Sequence, residues 1–218
     1  MLIQIPSGIF RSLFLRATML AAGAALSCGA GLADEQVSTT IQNKDGKFSI
    51  DGRFSIEADP SVAWDVLTSY EQIPRFVGNL KKSHVQEDLG IYHFLLEQEF
   101  EGGFLFFTQR VHVLLDVHEV WYQNIQFIDI KKKDFLIYQG SWSLTTNPPK
   151  GLEIGYKLEA KPNFDAPFAG DFMNGGAKDL LKAVRREILR RQKNKDLEEV
   201  PRLSLTKPTT PGQNKKVN

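Results

Sequence analysis

Apolar and polar side chains alternate along much of the central part of the chain. The alternation begins with Phe48, Ile50, Phe54 and Ile56 on one side of a segment, and Gly52 interrupts that apolar side. A period of two indicates a half-buried strand. Six more strands are predicted, at about residues 80–87, 92–100, 104–115, 120–128, 135–145 and 152–160. The gaps between these six strands allow antiparallel hairpins and are too short for parallel crossovers, so we expect a curved antiparallel meander.

Helical spacing replaces the alternation on both sides of these six strands. Asp59 and Pro60 form a typical helix start, with Asp as the N-cap and Pro in the first turn, and a second short helix is expected around Pro74. A long amphipathic helix is predicted over about residues 172–195, because one stripe of it is apolar: Ala177, Leu180, Leu181, Val184 and Ile188. Such a stripe can be buried against the concave side of a curved sheet. The predicted fold class is therefore α+β, with a seven-stranded antiparallel sheet wrapped around the C-terminal helix.

The first 33 residues have the pattern of a secretory signal peptide. Arg11 and Arg16 precede an apolar stretch at residues 17–26, which is shorter than the roughly 20 residues that a bilayer span needs. Small residues then lead to Ala33, where the polar chain begins. We expect export after cleavage near Ala33, to the bacterial periplasm. An uncleaved N-terminal anchor is the alternative.

Cysteine usage limits the chemistry of the exported chain. The single Cys of the sequence is Cys28, which lies inside the predicted signal peptide. Lipid modification of Cys28 is one possibility, although Ala25 stands where such a modification site normally has Leu. The remaining chain has no disulfide, no thiol nucleophile and no thiolate metal ligand.

Charge separates an acidic body from a basic end, although the formal net charge is only +1. Residues 34–173 include 13 basic and 21 acidic residues, whereas residues 174–218 include 12 basic and 5 acidic residues. We expect a flexible leader at residues 34–45, a folded domain at 46–195 and a disordered basic tail at 196–218. The basic end suits a solvated helix face or attachment to an anionic membrane surface. Nucleic-acid binding is not expected, because no aromatic–basic platform accompanies the charge.

One segment resembles a known superfamily. Residues 54–80, F-S-I-E-A-D-P-S-V-A-W-D-V-L-T-S-Y-E-Q-I-P-R-F-V-G-N-L, combine a strand, a D-P helix start, a Trp and a Y-x-x-I-P-x-F turn in one order. This order is similar to that of the START-like polyketide cyclase/dehydrase and coenzyme Q-binding superfamily. The resemblance extends over about residues 48–191 and implies the helix-grip fold. It also implies a cavity between sheet and C-terminal helix, in which members bind hydrophobic ligands, and some members are enzymes.

The aromatic residues of the strands and the last helix are the main candidate site. Large aromatic side chains with few polar groups are typical of an apolar pocket. We predict that the pocket is lined by Phe94, Phe106, Tyr138, Trp142, Tyr156, Phe172 and Leu180. The leading hypothesis is binding of a lipid or an isoprenoid or quinone-like molecule, without a cofactor, for transport or sequestration. The final helix and the turn at residues 101–103 would act as a lid.

Two other classes of function stay open at this stage. A cyclase or dehydratase would use Glu99, Arg110 or His112 as acid, base or orienting group, since a carboxylate in an apolar cavity has a raised pKa. A non-catalytic docking module would use the basic tail to hold a membrane or a partner. No metal site is predicted, because the four His residues, His84, His93, His112 and His118, show no metal-ligand spacing. Nucleophile-elbow and phosphate-loop motifs are also missing.

Overall fold

The computed structural model describes residues 37–104, 107–147, 151–163 and 169–203. Two α-helices, one 3₁₀ helix and eight strands are formed within these ranges. The strands are β1 (Ser38–Lys44), β2 (Lys47–Ile56), β3 (Leu80–Gly90), β4 (His93–Phe104), β5 (Phe107–Val120), β6 (Asn124–Asp129), β7 (Phe135–Thr146) and β8 (Leu152–Pro162). The helices are α1 (Pro60–Thr68), the 3₁₀ helix (Tyr70–Arg75) and α2 (Ala169–Leu203).

The eight strands form one open sheet in which every pair is antiparallel. Their order is β1-β2-β8-β7-β6-β5-β4-β3, so only β2 and β8 are neighbours that are distant in sequence. Register shifts interrupt the β3–β4 ladder at three places, and such bulges increase the local twist of a sheet. The α+β class, the antiparallel meander from β3 to β8 and the long C-terminal helix are confirmed.

The sheet has one strand more than the sequence analysis predicted. Ser38–Lys44 lies within the predicted flexible leader at residues 34–45, but it forms β1 and pairs with β2. Asp45 and Gly46 connect the two strands with φ values of 53° and 75°. A two-residue hairpin with both central residues at positive φ is the type I′ turn, for which Asp-Gly is a preferred sequence. The Asp-Gly pair was therefore the sequence feature that could have predicted β1.

The two faces of the sheet have different surroundings. The inner face carries the alternate side chains Ile50, Phe54, Leu96, Leu115 and Tyr156, which are all buried in one apolar core. Helix α1 adds its buried side chains to this core, namely Val62, Ala63, Trp64, Val66 and Leu67. The outer face carries the intervening residues, most of which are polar. The core therefore lies on one side of the sheet, between the inner face and the helices.

Helix α1 begins as its sequence predicts. The Asp59 carboxylate accepts a hydrogen bond of 2.8 Å from the backbone N–H of Ser61, and Pro60 occupies the first helical position. The N–H groups of the first helical turn have no acceptor within the helix, so the Asp59 side chain supplies one for Ser61.

Helix α2 packs its apolar stripe on the inner face of β2. Leu181 and Ile188 are fully buried, and a Cβ atom built on Gly52 would lie 2.4 Å from Leu181 Cδ1. Gly52 interrupts the apolar side of β2 because the Leu181 side chain occupies that space. Helix α2 also extends to Leu203, past the predicted end at residue 195. Within the described residues, no helix combines the length and the apolar character that a bilayer crossing requires.

Polar contacts fix the C-terminal half of α2 to α1 and to the 3₁₀ helix. Arg191 donates to the backbone carbonyl of Asp65, to Ser69 Oγ and to Gln72 Oε1, at 3.2–3.4 Å. These acceptors lie at the C-terminal end of α1 and just after it, where a cation is favoured by the helix dipole. Glu187 is largely buried and accepts from Arg191 Nε at 2.8 Å. The Glu187–Arg191 pair thus orients the guanidinium that joins the helices.

Candidate ligand-binding site

A cavity of about 90 Å³ lies between the inner face of the sheet and the helices. Strands β3 to β8 supply one wall, and α1, the 3₁₀ helix and α2 supply the other. Alternation along each strand decides which side chains face the cavity, because successive residues of a strand point to opposite faces. On β4 the residues that line it are Leu96, Gln98 and Phe100, and on β5 they are Leu115 and Val117.

Aromatic side chains of β6, β7 and β8 form the sheet wall of the cavity. Trp142 and Tyr156 are directly opposite in the β7–β8 register, with ring centroids 4.5 Å apart. Tyr138 lies two positions before Gly140 on β7, and its ring is 6.1 Å from that of Phe127 on β6. Gly140 leaves room for this arrangement, since a Cβ there would lie 2.7 Å from Phe127 Cζ. The wall is thus a set of rings packed around a glycine.

Two phenol hydroxyls provide polar groups within this aromatic wall. Burial raises the pKa of Tyr138 and of Tyr156, with smaller contributions from Asp129 and from Tyr138 respectively. Both groups therefore stay protonated at neutral pH and can donate hydrogen bonds. Among the described residues neither hydroxyl has a hydrogen-bond partner. A polar atom of a bound molecule could serve as that partner.

The helix side of the cavity contributes a polar pair of its own. The Tyr70 hydroxyl donates to Glu119 Oε1 at 2.6 Å. Burial, and then the adjacent Glu119 carboxylate, raise the pKa of Tyr70. On the sheet side, Gln98 Nε2 donates to Ser83 Oγ at 3.2 Å, and this pair is buried. Tyr70 and Gln98 line the cavity, and each donates a hydrogen bond to another residue of the protein.

The structure places four of the seven predicted ligand-binding residues on the cavity. Tyr138, Trp142, Tyr156 and Leu180 line it. Phe94 is part of the surrounding core, and its ring lies 5.0 Å from that of Tyr70, which is a lining residue. Phe106 and the side chain of Phe172 lie outside the described residues.

Sequence reasoning missed the contribution of the short helices and of one polar strand residue. Val66, Leu67, Tyr70 and Ile73 line the cavity from α1 and the 3₁₀ helix. Their helical apolar spacing predicted burial but not the surface that they would contact. Gln98 could have been found, because it takes an apolar position in the alternation of β4.

The three candidate catalytic residues lie together on the outer face. Glu99 is opposite His112 in the β4–β5 register, and His112 Nε2 is 3.2 Å from Glu99 Oε2. Arg110 Nη1 is 3.7 Å from Glu99 Oε1, and Arg110 Nε donates to Glu101 Oε2 at 2.8 Å. The intervening residues, such as Gln98 and Phe100, face the cavity instead. A role for Glu99, Arg110 or His112 in the cavity needed their side chains to converge on it, and the geometry does not provide this.

Possible metal ligands occur away from the cavity. Within the part of the chain that the structure describes, one group of three His or carboxylate side chains has converging ligand atoms, namely His93, Asp116 and His118 on the outer face. No His, Asp or Glu is among the described residues that line the cavity. The described residues that line the cavity offer apolar surface and hydroxyl, amide and indole groups.

The sequence matches a family model over residues 56–188, which is more than half of the chain. The family is described as polyketide cyclase / dehydrase and lipid transport. The matched range runs from the end of β2 to the buried half of α2 and so includes every element that lines the cavity. The chain belongs to this family. A comparison with curated proteins gives no match.

Solved structures with the same fold include human STARD10, a STAR-related lipid transfer protein and an aromatase/cyclase. Human STARD10 is 13% identical, with a TM-score of 0.55, over 76% of this chain and 78% of that one. The STAR-related lipid transfer protein of Xanthomonas axonopodis is 11% identical, with a TM-score of 0.52, over 71% of this chain and 99% of that fragment. The Zhui aromatase/cyclase of Streptomyces sp. R1128 is 12% identical, with a TM-score of 0.54, over 66% and 95% of the two chains. These likenesses establish the START-like helix-grip fold.

Proposed function

We propose that the protein binds a hydrophobic small molecule, a lipid or an isoprenoid or quinone-like compound, in the cavity between the sheet and α2, for transport or sequestration. One observation supports binding over acid–base catalysis. Apart from the tyrosines, no described residue that lines the cavity is ionisable, whereas Tyr138 and Tyr156 line it and their hydroxyls have no hydrogen-bond partner among the described residues. Such a site can hold and orient an apolar molecule through one or two hydrogen bonds.

The driving force would be the removal of apolar ligand surface from water. Each Å² of apolar surface buried contributes about 25 cal/mol. A hydrogen bond from Tyr138 or Tyr156 adds little net affinity, but leaving a buried ligand oxygen unpaired would cost about 1–3 kcal/mol. The apolar wall would therefore supply the affinity, and the hydroxyls would select ligands with an acceptor at the matching position.

The wall of the cavity has to move outward for a ligand of this size. The cavity measures about 90 Å³, whereas pockets for small molecules usually measure about 300–1,000 Å³. The 3₁₀ helix is the wall segment best suited to move, because none of its residues is fully buried although Tyr70 and Ile73 line the cavity. Segments with little buried surface open at low free-energy cost. We infer that ligand entry displaces the 3₁₀ helix from the sheet.

The proposal extends to location and to the basic end of the chain. The pattern of residues 1–33 supports export to the periplasm, and the positive charge of residues 174–218 supports contact with an anionic membrane from which the ligand would be taken. Part of this charge is paired within the fold, since Arg190 and Arg191 contact Glu187 and Lys195 contacts Asp59. The membrane contact would therefore depend on basic residues outside these pairs, above all Lys207, Lys215 and Lys216 after Leu203.

The test is ligand retention by the delipidated protein. After incubation with a membrane lipid extract, native mass spectrometry should show one lipid molecule retained per chain. Leu180→Trp fills the cavity from α2 and should weaken the affinity for the retained lipid about tenfold or more, which corresponds to about 1.4 kcal/mol or more. Lack of retention by the unmodified chain would contradict the proposal.

A matched variant separates cavity filling from a general effect of tryptophan on α2. Leu189 lies on the same helix, is 39% exposed and does not line the cavity. Leu189→Trp should retain lipid as the unmodified chain does. Equal loss in both variants, with unchanged circular dichroism, would place the bound lipid outside the cavity.

A further inference from the structure

The outer face of the sheet carries a cluster of two imidazoles and one carboxylate. His93 Nε2 lies 2.8 Å from Asp116 Oδ1, and His118 Nε2 lies 3.2 Å from the same oxygen. The two imidazole rings are stacked, with centroids 3.9 Å apart and planes inclined by 18°. Both ring nitrogens therefore point to one carboxylate, and all three potential ligand atoms lie within 4.8 Å of one another.

The strand register produces this convergence. His93 on β4 is directly opposite His118 on β5, and Asp116 is two residues before His118, so all three side chains project from the same face. The hydrogen bond from the backbone N–H of Glu119 to the carbonyl of Tyr92, at 2.8 Å, closes the ladder beside the cluster. The ligand atoms are thus carried by paired strands rather than by a loop.

The spacing of the atoms suits a transition-metal ion. Ligands about 2.0–2.2 Å from a tetrahedral ion lie roughly 3.4 Å from one another. The two Nε2–Oδ1 distances of 2.8 and 3.2 Å need little change to reach that value. The side chains of His93 and His118 are 32% and 55% exposed, so their rings are free to turn until both lone pairs meet at one point.

The composition of the cluster selects the class of ion. Imidazole nitrogen is a good ligand for Zn²⁺, Cu²⁺ and Ni²⁺, whereas Mg²⁺ and Ca²⁺ require mainly oxygen ligands. Three protein ligands leave at least one coordination position open. Asp116 and His118 also line an open groove of about 430 Å³ on the outer face, so water or a groove-bound molecule could reach that position.

We propose that His93, Asp116 and His118 form a binding site for a divalent transition-metal ion of the Zn²⁺ class. The ion links β4 to β5 on the outer face and keeps a coordination position open to the groove. The site is separate from the cavity, because these side chains project from the opposite face of the sheet. Its test is therefore independent of ligand binding in the cavity.

The experiment is a titration of the metal-free full chain, without a polyhistidine tag, with Zn²⁺ by isothermal calorimetry. One ion per chain should bind, and Mg²⁺ at the same concentrations should give no heat. His93→Gln, His118→Gln and Asp116→Asn should each weaken Zn²⁺ binding by about tenfold or more, since loss even of an outer-shell partner costs about 10–100-fold. Co²⁺ in place of Zn²⁺ should give a visible absorption spectrum that these variants lose.

Two other histidines serve as matched controls. His84→Gln and His112→Gln change histidines of β3 and β5 that belong to other ion pairs. Both should bind Zn²⁺ as the unmodified chain does, and all five variants should keep their circular dichroism and their lipid retention. Absence of stoichiometric Zn²⁺ binding would overturn the proposal. So would binding that is lost in His112→Gln but kept in His93→Gln.

Discussion

Replacement of Gly140 by alanine will lower the free energy of unfolding by about 3 kcal/mol. Gly140 lies on β7 between Tyr138 and Trp142, on the side of the strand that faces the core. A Cβ atom there would lie 2.2 Å from the carbonyl oxygen of Lys157 and 2.7 Å from Phe127 Cζ. The first contact is with the backbone of the neighbouring strand, which cannot turn aside as a side chain can. The added methyl group therefore forces β7 and β8 apart where they carry the aromatic wall.

Gly78 provides the matched control for this substitution. A Cβ atom on Gly78 meets no atom within 4 Å. Gly78→Ala should change the unfolding free energy by less than about 0.5 kcal/mol, as surface substitutions usually do. Urea denaturation of both variants measures the difference. A Gly140→Ala variant as stable as Gly78→Ala would show that the close packing of β7 on β8 and Phe127 is not as described.

Replacement of Glu187 by glutamine will cost about 2 kcal/mol of stability at pH 7. The hydrogen bonds from Arg190, opposed by burial and supported by Arg191, lower the pKa of Glu187 from 4.5 to about 2. The Glu187 side chain is only 10% exposed, so solvent screens these contacts weakly. Glutamine removes the charge and leaves Arg191 without the partner that aims it at the ends of α1 and the 3₁₀ helix.

The effect of this substitution has a defined pH dependence. The pKa of Glu187 is lower in the folded chain than in the unfolded chain, so ionisation favours folding. This contribution is complete above about pH 4.5 and is lost as the pH falls through about 2. The difference in stability between the unmodified chain and Glu187→Gln should therefore shrink over this range.

Glu198 is the control for the charge change, because it is an exposed carboxylate on the same helix. Glu198→Gln should alter stability by a few tenths of a kcal/mol at most, at either pH. Thermal unfolding at pH 7 and at pH 2.5 measures both variants. A Glu187→Gln effect that is the same at the two pH values would contradict the role of the ionised carboxylate.

The sequence predicts most of this fold because the period of two that indicates strands and the helical spacing that indicates helices occur in separate segments. Alternation with short gaps predicted β2 to β8, and the Asp59-Pro60 pair predicted the start of α1. The strand β1 was missed because the residues of Ser38–Lys44 are mostly polar and exposed. An edge strand can have such a composition when its partner strand and a tight turn determine its position.

The site was predicted only in part, because the face of the sheet that a strand residue occupies depends on its exact position in the strand. Tyr138, Trp142 and Tyr156 alternate with polar residues, so their side of the strand follows from the pattern. Glu99 and His112 also occur on apolar strands, but each is one position away from the residues that face the cavity. A displacement of one residue moves a side chain to the opposite face of a sheet. Bulges and strand register decide on which face of the sheet a side chain lies. Neither can be read from a single sequence.

The His93–Asp116–His118 cluster could not be predicted from spacing along the chain. His93 and His118 are 25 positions apart and meet only because β4 and β5 pair in one register. Sequence rules for metal sites depend on short spacings within one helix or loop, and they do not cover ligands brought together by two strands. The prediction that the chain has no metal site is therefore tested only by the titration itself.

The proposed function depends on a hydrophobic molecule that binds between the inner face of the sheet and α2. The most direct measurement is an isotope-filtered nuclear Overhauser experiment on the ¹³C-labelled protein with the unlabelled lipid that it retains. We expect contacts from the apolar protons of the ligand to the rings of Tyr138, Trp142 and Tyr156 and to the methyl groups of Leu180. Contacts confined to exposed outer-face residues such as Ile128 and Leu136 would contradict it.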